Sequence, residues 1–225
     1  MKKNIIKSLA LTGTALLTLS FAGQSFAASA TFTDLGNIKA KDKIVSLQDK
    51  GLINGVGGDR FAPNAPITAA QGIQMVVKAL DLNLDLIRFI KEPKATDYYA
   101  HAKNDAWYSD TLIIAANNGM DLPSDLNPNK VWDREEFTHQ LIIAMEKHSN
   151  LPMIKIIPVE IADVDKFTNG YDGSIQRALV LNIAELDAKG NFNPKQKVTR
   201  AEAAVMIYNA LEYIKAHPAP AGDAS

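Results

Sequence analysis

Apolar positions recur with helical spacing at three places along the chain. They are Val76, Val77 and Leu80; Leu141, Ile142 and Met145; and Ile207, Tyr208 and Leu211. Spacing of i, i+1 and i+4 marks one face of an amphipathic helix, and that face is read as core. Each set lies at the same offset from a proline: Pro63, Pro128 or Pro194. Upstream of each proline, a shorter helix is expected, over roughly 40–50, 107–118 and 172–182. Gly51 and Gly119 fit the positive-φ position just past a helix end, and Asn182 takes that place in the third copy.

The polar positions repeat as well. Phe61-Ala-Pro-Asn-Ala-Pro-Ile-Thr-Ala-Ala-Gln71, Leu126-Asn-Pro-Asn-Lys-Val-Trp-Asp-Arg-Glu-Glu136 and Phe192-Asn-Pro-Lys-Gln-Lys-Val-Thr-Arg-Ala-Glu202 align without a gap. Thr68 with Gln71, Asp133 with Glu136 and Thr199 with Glu202 have capping-box spacing. In that motif the cap oxygen takes the amide three residues on, whose side chain returns to the cap amide. One match is weak; three in register predict three equivalent helices. A period of about 65 residues is the mark of an assembly of repeats. The expected fold is all-α, with three helix–loop–helix units over 32–82, 95–147 and 161–214.

The ends read differently. Lys2, Lys3 and Lys7 precede an apolar run from Leu9 to Phe21 and then small residues, as in a secretory signal peptide over 1–27. The alternative is an uncleaved anchor, although the run is shorter than the ~20 residues a span needs. Residues 215–225 have linker composition and are expected to be a disordered tail. The connector 83–95 carries Leu84, Leu86, Ile87, Phe89 and Ile90 and is expected to be partly packed or helical; 150–160 reads as a short extended segment.

Composition removes several classes of function. The net charge is −1, and losing three leader lysines makes the remainder more acidic. That argues against binding nucleic acid by phosphate neutralisation. Without cysteine there is no disulfide framework. The histidines show no paired metal spacing, and Ser109 and Ser174 lack a nucleophile motif. Asp163 to Gly170 resembles a calcium loop only superficially, since its glycine is misplaced and the closing Glu is missing. No metal, no cofactor and no catalytic residue are expected. With leader, three units and tail assigned, these residues leave no room for a catalytic domain.

At Val198-Thr-Arg-Ala-Glu202 the third unit resembles an S-layer homology motif, whose most characteristic element is Thr-Arg-Ala-Glu after an F-x-P loop. The resemblance covers roughly residues 32–214. The family's opening aromatic-x-Asp element is present as Phe32-Thr-Asp34 and more loosely around Asp97 and Asp163, and Trp107 resembles its early Trp. The resemblance implies one pseudo-threefold domain, with the capped helices as a central three-helix bundle and the shorter helices as outer prongs. It further implies grooves that bind a secondary cell wall polymer, often pyruvylated. The chain would then be a secreted protein of the bacterial cell wall or S-layer, with no membrane contact after leader cleavage and with other envelope proteins as further partners.

Elementary electrostatics agrees with that role. Helix N-termini attract anions, and an Arg just past the cap offers a planar fork for a carboxylate. Arg134 and Arg200 hold that position, beside Thr199 in the last unit. They either take the ligand or pair with nearby surface carboxylates. Asp34, Asp97 and Asp163 would accept sugar hydroxyls or cap the preceding turn, and Trp107 would stack on a ring. Gln71, Glu136 and Glu202 are read as caps. The first unit has Ala69 and Gln71 where Arg and Glu are expected, with Arg60 as a substitute from the other side. Glu135 adds a charge that would weaken anion binding in the second unit. Unequal grooves follow, the one with Arg200 the best. The alternative is an envelope protein-interaction or structural module with weak or lost glycan binding.

Overall fold

The structure, a computed structural model, describes residues 31–149, 151 and 157–218. The expected signal peptide over 1–27, much of the 150–160 connector and residues 219–225 lie outside them. Among the described residues there are six α-helices: α1 Lys41–Asp49, α2 Ala69–Ala79, α3 Ser109–Asn117, α4 Arg134–His148, α5 Asp172–Val180 and α6 Arg200–Ala216. Two single 3-10 turns, Ala95–Asp97 and Val164–Lys166, open the second and third units. The fold is all-α, and α6 runs two residues into the segment read as tail.

The helix ends follow from local chemistry. Thr68, Asp133 and Thr199 each accept from the amide three residues on, and Gln71, Glu136 and Glu202 return to the cap amide. The short helices stop at left-handed residues: Gly51 (φ 70), Gly119 (φ 70) and Asn182 (φ 54). Past each stop one amide reaches back to satisfy an orphan carbonyl: Leu52 to Leu47, Met120 to Ala115, and Ile183 to Ala178.

The units are joined just before the caps. The Ile67 N–H donates to the Val198 carbonyl at 3.1 Å. Val198 N–H donates to Trp132 at 3.2 Å, and Trp132 N–H to Ile67 at 3.1 Å. The three bonds close a ring, and all three side chains are buried. From this ring the long helices α2, α4 and α6 pack on one another as a central bundle. Each short helix leans on the capped helix of the preceding unit: α3 on α2, α5 on α4, and α1 on α6. The α1–α6 contact closes the circle between first and last units, with Lys43 donating to Asn209 at 2.7 Å.

The connector after α2 is packed only in part and forms no helix. Asp81 (φ 52) ends the helix, and no helix forms before Ala95. Leu86 is 97% and Ile90 108% exposed. Leu84 alone of the named apolar residues packs on the core.

One steric feature follows from the ring. Trp132 is 3% exposed because it lies over Gly72, where an added Cβ would come within 2.6 Å of the indole. Gly72 is helical, so alanine would gain ~1 kcal/mol of intrinsic helix propensity. Overpacking costs ~1–3 kcal/mol, and we expect it to win. Gly72→Ala should therefore lower the denaturation midpoint with an unchanged m-value. A stabilised variant would mean that Trp132 does not constrain the junction.

Candidate functional site

The helix N-termini, expected to meet a ligand directly, are closed by the neighbouring unit. Ala69 and Ala70 N–H donate to Lys130 and Pro128 carbonyls at 2.8 and 3.0 Å. Arg134 and Glu135 donate likewise to Gln196 and Pro194, and Arg200 and Ala201 to Ala65 and Pro63. The cap side chain takes the third amide. Main-chain donors are therefore engaged, which leaves side chains between units as the groups available to a ligand.

Arg200 and Arg134 occupy equivalent junctions. Arg200 crosses from the third unit to the first, donating from Nε to the Phe61 carbonyl at 2.6 Å and from Nη2 to Asn54 at 2.7 Å. Its guanidinium lies 4.6 Å from the Phe61 ring centroid. Arg134 crosses from the second unit to the third, donating to the Glu185 carbonyl at 2.8 Å, 5.0 Å from the Phe192 ring. Both are largely buried, which pulls each guanidinium below its ordinary value, while nearby carboxylates oppose the shift. Ala69 holds the third equivalent place. Arg60 does not replace the missing Arg: it lines a cleft with Phe32 and Gln48 of its own unit, on the other side of the 53–55 loop from the Arg200 groove.

The acidic residues take structural places. Asp34 accepts the amides of Phe61 and Ala62 at 2.8 and 2.7 Å, and Asp163 those of Phe192 and Asn193 at 2.8 and 2.9 Å. These clamps accompany left-handed backbone at Ala62 (φ 57) and Asn193 (φ 58), and they engage both oxygens that were expected to meet sugar hydroxyls. Asp97 is not their counterpart. It caps its own turn by accepting from Lys94 N–H at 3.0 Å. The amide of the residue before each clamp position donates to the loop: Thr33 to Asp59, Ala162 to Gly190, and Ala100 to Ser124. That register aligns His101, not Asp97, with Asp34 and Asp163, so the second unit lacks the clamp. The Thr199 hydroxyl is likewise engaged, donating to Glu202 at 2.8 Å inside the cap.

Glu135 also corrects an expectation. It is 1% exposed rather than facing a ligand. Its carboxylate pairs with Lys195 and accepts from the Thr168 hydroxyl and the Thr168 amide of the third unit. Burial raises its pKa, but Lys195 and Thr168 outweigh that and hold it below the ordinary glutamate value.

The junctions differ as grooves. The Arg200 groove, of roughly 480 Å³, gathers side chains from all three units: Arg200, Gln71, Gln74 and Lys78 with the loop 52–56, and Trp107. That size lies in the ~300–1,000 Å³ range of small-molecule sites. Trp107 is 59% exposed there, and among the described residues no carboxylate lines the groove. At the Arg134 junction Glu202 pairs with the guanidinium at 3.3 Å, and Glu185 and Asp187 stand beside it. The substitution of Gln71 for the expected Glu thus keeps the first groove free of acid. At the third junction His139 stacks on Tyr171, with centroids 4.3 Å apart, and meets Ser174 at 2.9 Å and Asp121 at 3.5 Å. The sequence reading missed Gln74 and Lys78; their offsets from the cap could have marked them.

A family model described as the S-layer homology domain matches residues 31–71 and 160–204. These are parts of the first and third units, the two that hold an Asp clamp. The chain is 27% identical over 217 residues to the Surface-layer 125 kDa protein of Lysinibacillus sphaericus, covering 94% of this chain and 17% of that protein. It is 28% identical over 187 residues to Exoglucanase XynX of Acetivibrio thermocellus (82% and 16%). It is 28% identical over 187 residues to an Amylopullulanase of Thermoanaerobacterium thermosulfurigenes (81% and 10%). The chain spans less than a fifth of the length of these curated relatives.

The clamps predict acid sensitivity. Burial raises Asp34, but the Phe61 and Ala62 amides outweigh it, so Asp34 and Glu135 both have folded values below their unfolded ones. Their stabilisation is complete above the ordinary values of 3.8 and 4.5 and is lost as pH falls through the lowered folded values. Unfolding free energy should therefore drop on acidification below about pH 4.5, and Glu135→Gln should flatten that slope. An unchanged slope in the variant would contradict the pairing of Glu135 with Lys195 and Thr168.

Proposed function

Since this chain belongs to the S-layer homology family, we propose that it is a non-enzymatic cell-envelope attachment module. It binds an anionic, pyruvylated secondary cell wall polymer non-covalently, in the groove that contains Arg200. The observation that carries this reading is the groove's composition: two cations, Arg200 and Lys78, with an exposed indole and no carboxylate. A carboxylate on a sugar needs a desolvated donor fork, and the sugar ring needs an apolar face to lie on. Two of the guanidinium's five N–H donors hold the loop carbonyls of Phe61 and Asn54, which fixes the fork in place. Its partner at the Arg134 junction faces Glu202 and is the weaker candidate. The relatives support attachment rather than chemistry, because a surface-layer protein and two proteins named as glycan-degrading enzymes align with the same stretch. Among the described residues no helix is long and apolar enough to cross a membrane.

A second reading, an envelope protein-interaction module with weak glycan binding, is favoured by one observation, the near-complete exposure of Leu86 and Ile90. Sedimentation with purified walls separates the two. The glycan reading expects binding to intact walls and loss of binding once the polymer is extracted. Trp107 is exposed enough to remove without disturbing the core. Trp107→Ala should weaken wall binding about tenfold, ~1.4 kcal/mol, with unchanged thermal stability. Undiminished binding to extracted walls would contradict the glycan reading.

A further inference from the structure

Resting on that reading, we infer that the Arg200 groove is built for a ligand with two anionic groups, the second held by Lys78. Gln71, Gln74, Met75 and Lys78 recur at i, i+3, i+4 and i+7, so one face of α2 forms a wall of the groove. Lys78 therefore stands two turns, about 10 Å, along the helix from Gln71 at the cap end. The arginine at the cap end and the lysine beyond it define a track, with neutral Gln71 and Gln74 between them. A single sugar bearing one carboxylate fills only the end near Arg200.

The equivalent positions on the other long helices carry no such group. On α6 it is Asn209, which accepts from Lys43 at 2.7 Å and donates to the Ile183 carbonyl at 3.1 Å. On α4 it is Ile143. Lys78 is thus peculiar to the one groove that has an arginine and lacks carboxylates. It also lies in the last turn of α2, where a cation favours the helix dipole. A role confined to the dipole would change stability and leave binding alone. The ligand class implied is an oligosaccharide of at least two residues with anionic substituents on separate sugars.

The test compares two probes by calorimetry over a range of salt concentrations. One is a pyruvylated amino-sugar methyl glycoside, with a single carboxylate; the other is the polymer purified from walls. Lys78→Gln should leave the glycoside's affinity within about twofold and weaken the polymer about tenfold, with a shallower salt dependence. Lys78→Arg should restore polymer binding. Polymer binding unchanged in Lys78→Gln would overturn the second contact while leaving the Arg200 reading intact. Equal losses for both probes would also overturn it, placing Lys78 at the first anion. Wild-type protein that binds neither probe would instead overturn the glycan reading and this inference with it.

Discussion

Three backbone hydrogen bonds hold the units in one frame: Ile67 to Val198, Val198 to Trp132, and Trp132 to Ile67. Each lies just before a helix cap, so the ring sets where α2, α4 and α6 begin. A second set of bonds tightens it, as the first two amides of each long helix reach the loop of the next unit. Buried amides must find partners, and here the partners are always in another unit. One unit alone would leave these donors open and a short helix without the long helix it leans on.

This constraint also decides what kind of recognition is available. A helix N-terminus ordinarily attracts anions through its free amides and dipole. Here those amides are engaged, so a ligand must be met by side chains that cross between units. Arg200 and Arg134 cross in equivalent ways, each over a buried phenylalanine ring. What differs is their company: Gln71 beside one and Glu202 beside the other. The backbone repeats closely, and the side chains at the junctions break the symmetry of charge.

Much of the fold was legible in the sequence because it is written locally. Caps and helix stops depend on residues three or four positions apart and appear as read, down to Asn182 in place of glycine; the apolar stripe is core at six of its nine positions, while Leu80, Tyr208 and Leu211 are half-buried at its edge. What was not legible depends on partners from another unit. Glu135 reads as a surface acid until Thr168 and Lys195 are brought onto it. Asp97 was matched to Asp34 by residue type, whereas the loop hydrogen bonds put His101 in that register. Gln71 reads only as a departure from the motif's Glu; at the junction it removes the charge that would otherwise neutralise the arginine.

On the reading proposed above, one of three junctions takes the glycan while its neighbours serve the fold. A 1H–15N NMR titration of the described domain with a pyruvylated amino-sugar glycoside addresses it directly. Shifts should concentrate at Gly55, Gln74 and the Trp107 indole, with Ala184, Glu185 and Tyr171 at the other junctions unmoved. Comparable shifts at the Arg134 and Arg200 junctions, or shifts confined to residues outside the Arg200 groove, would contradict it.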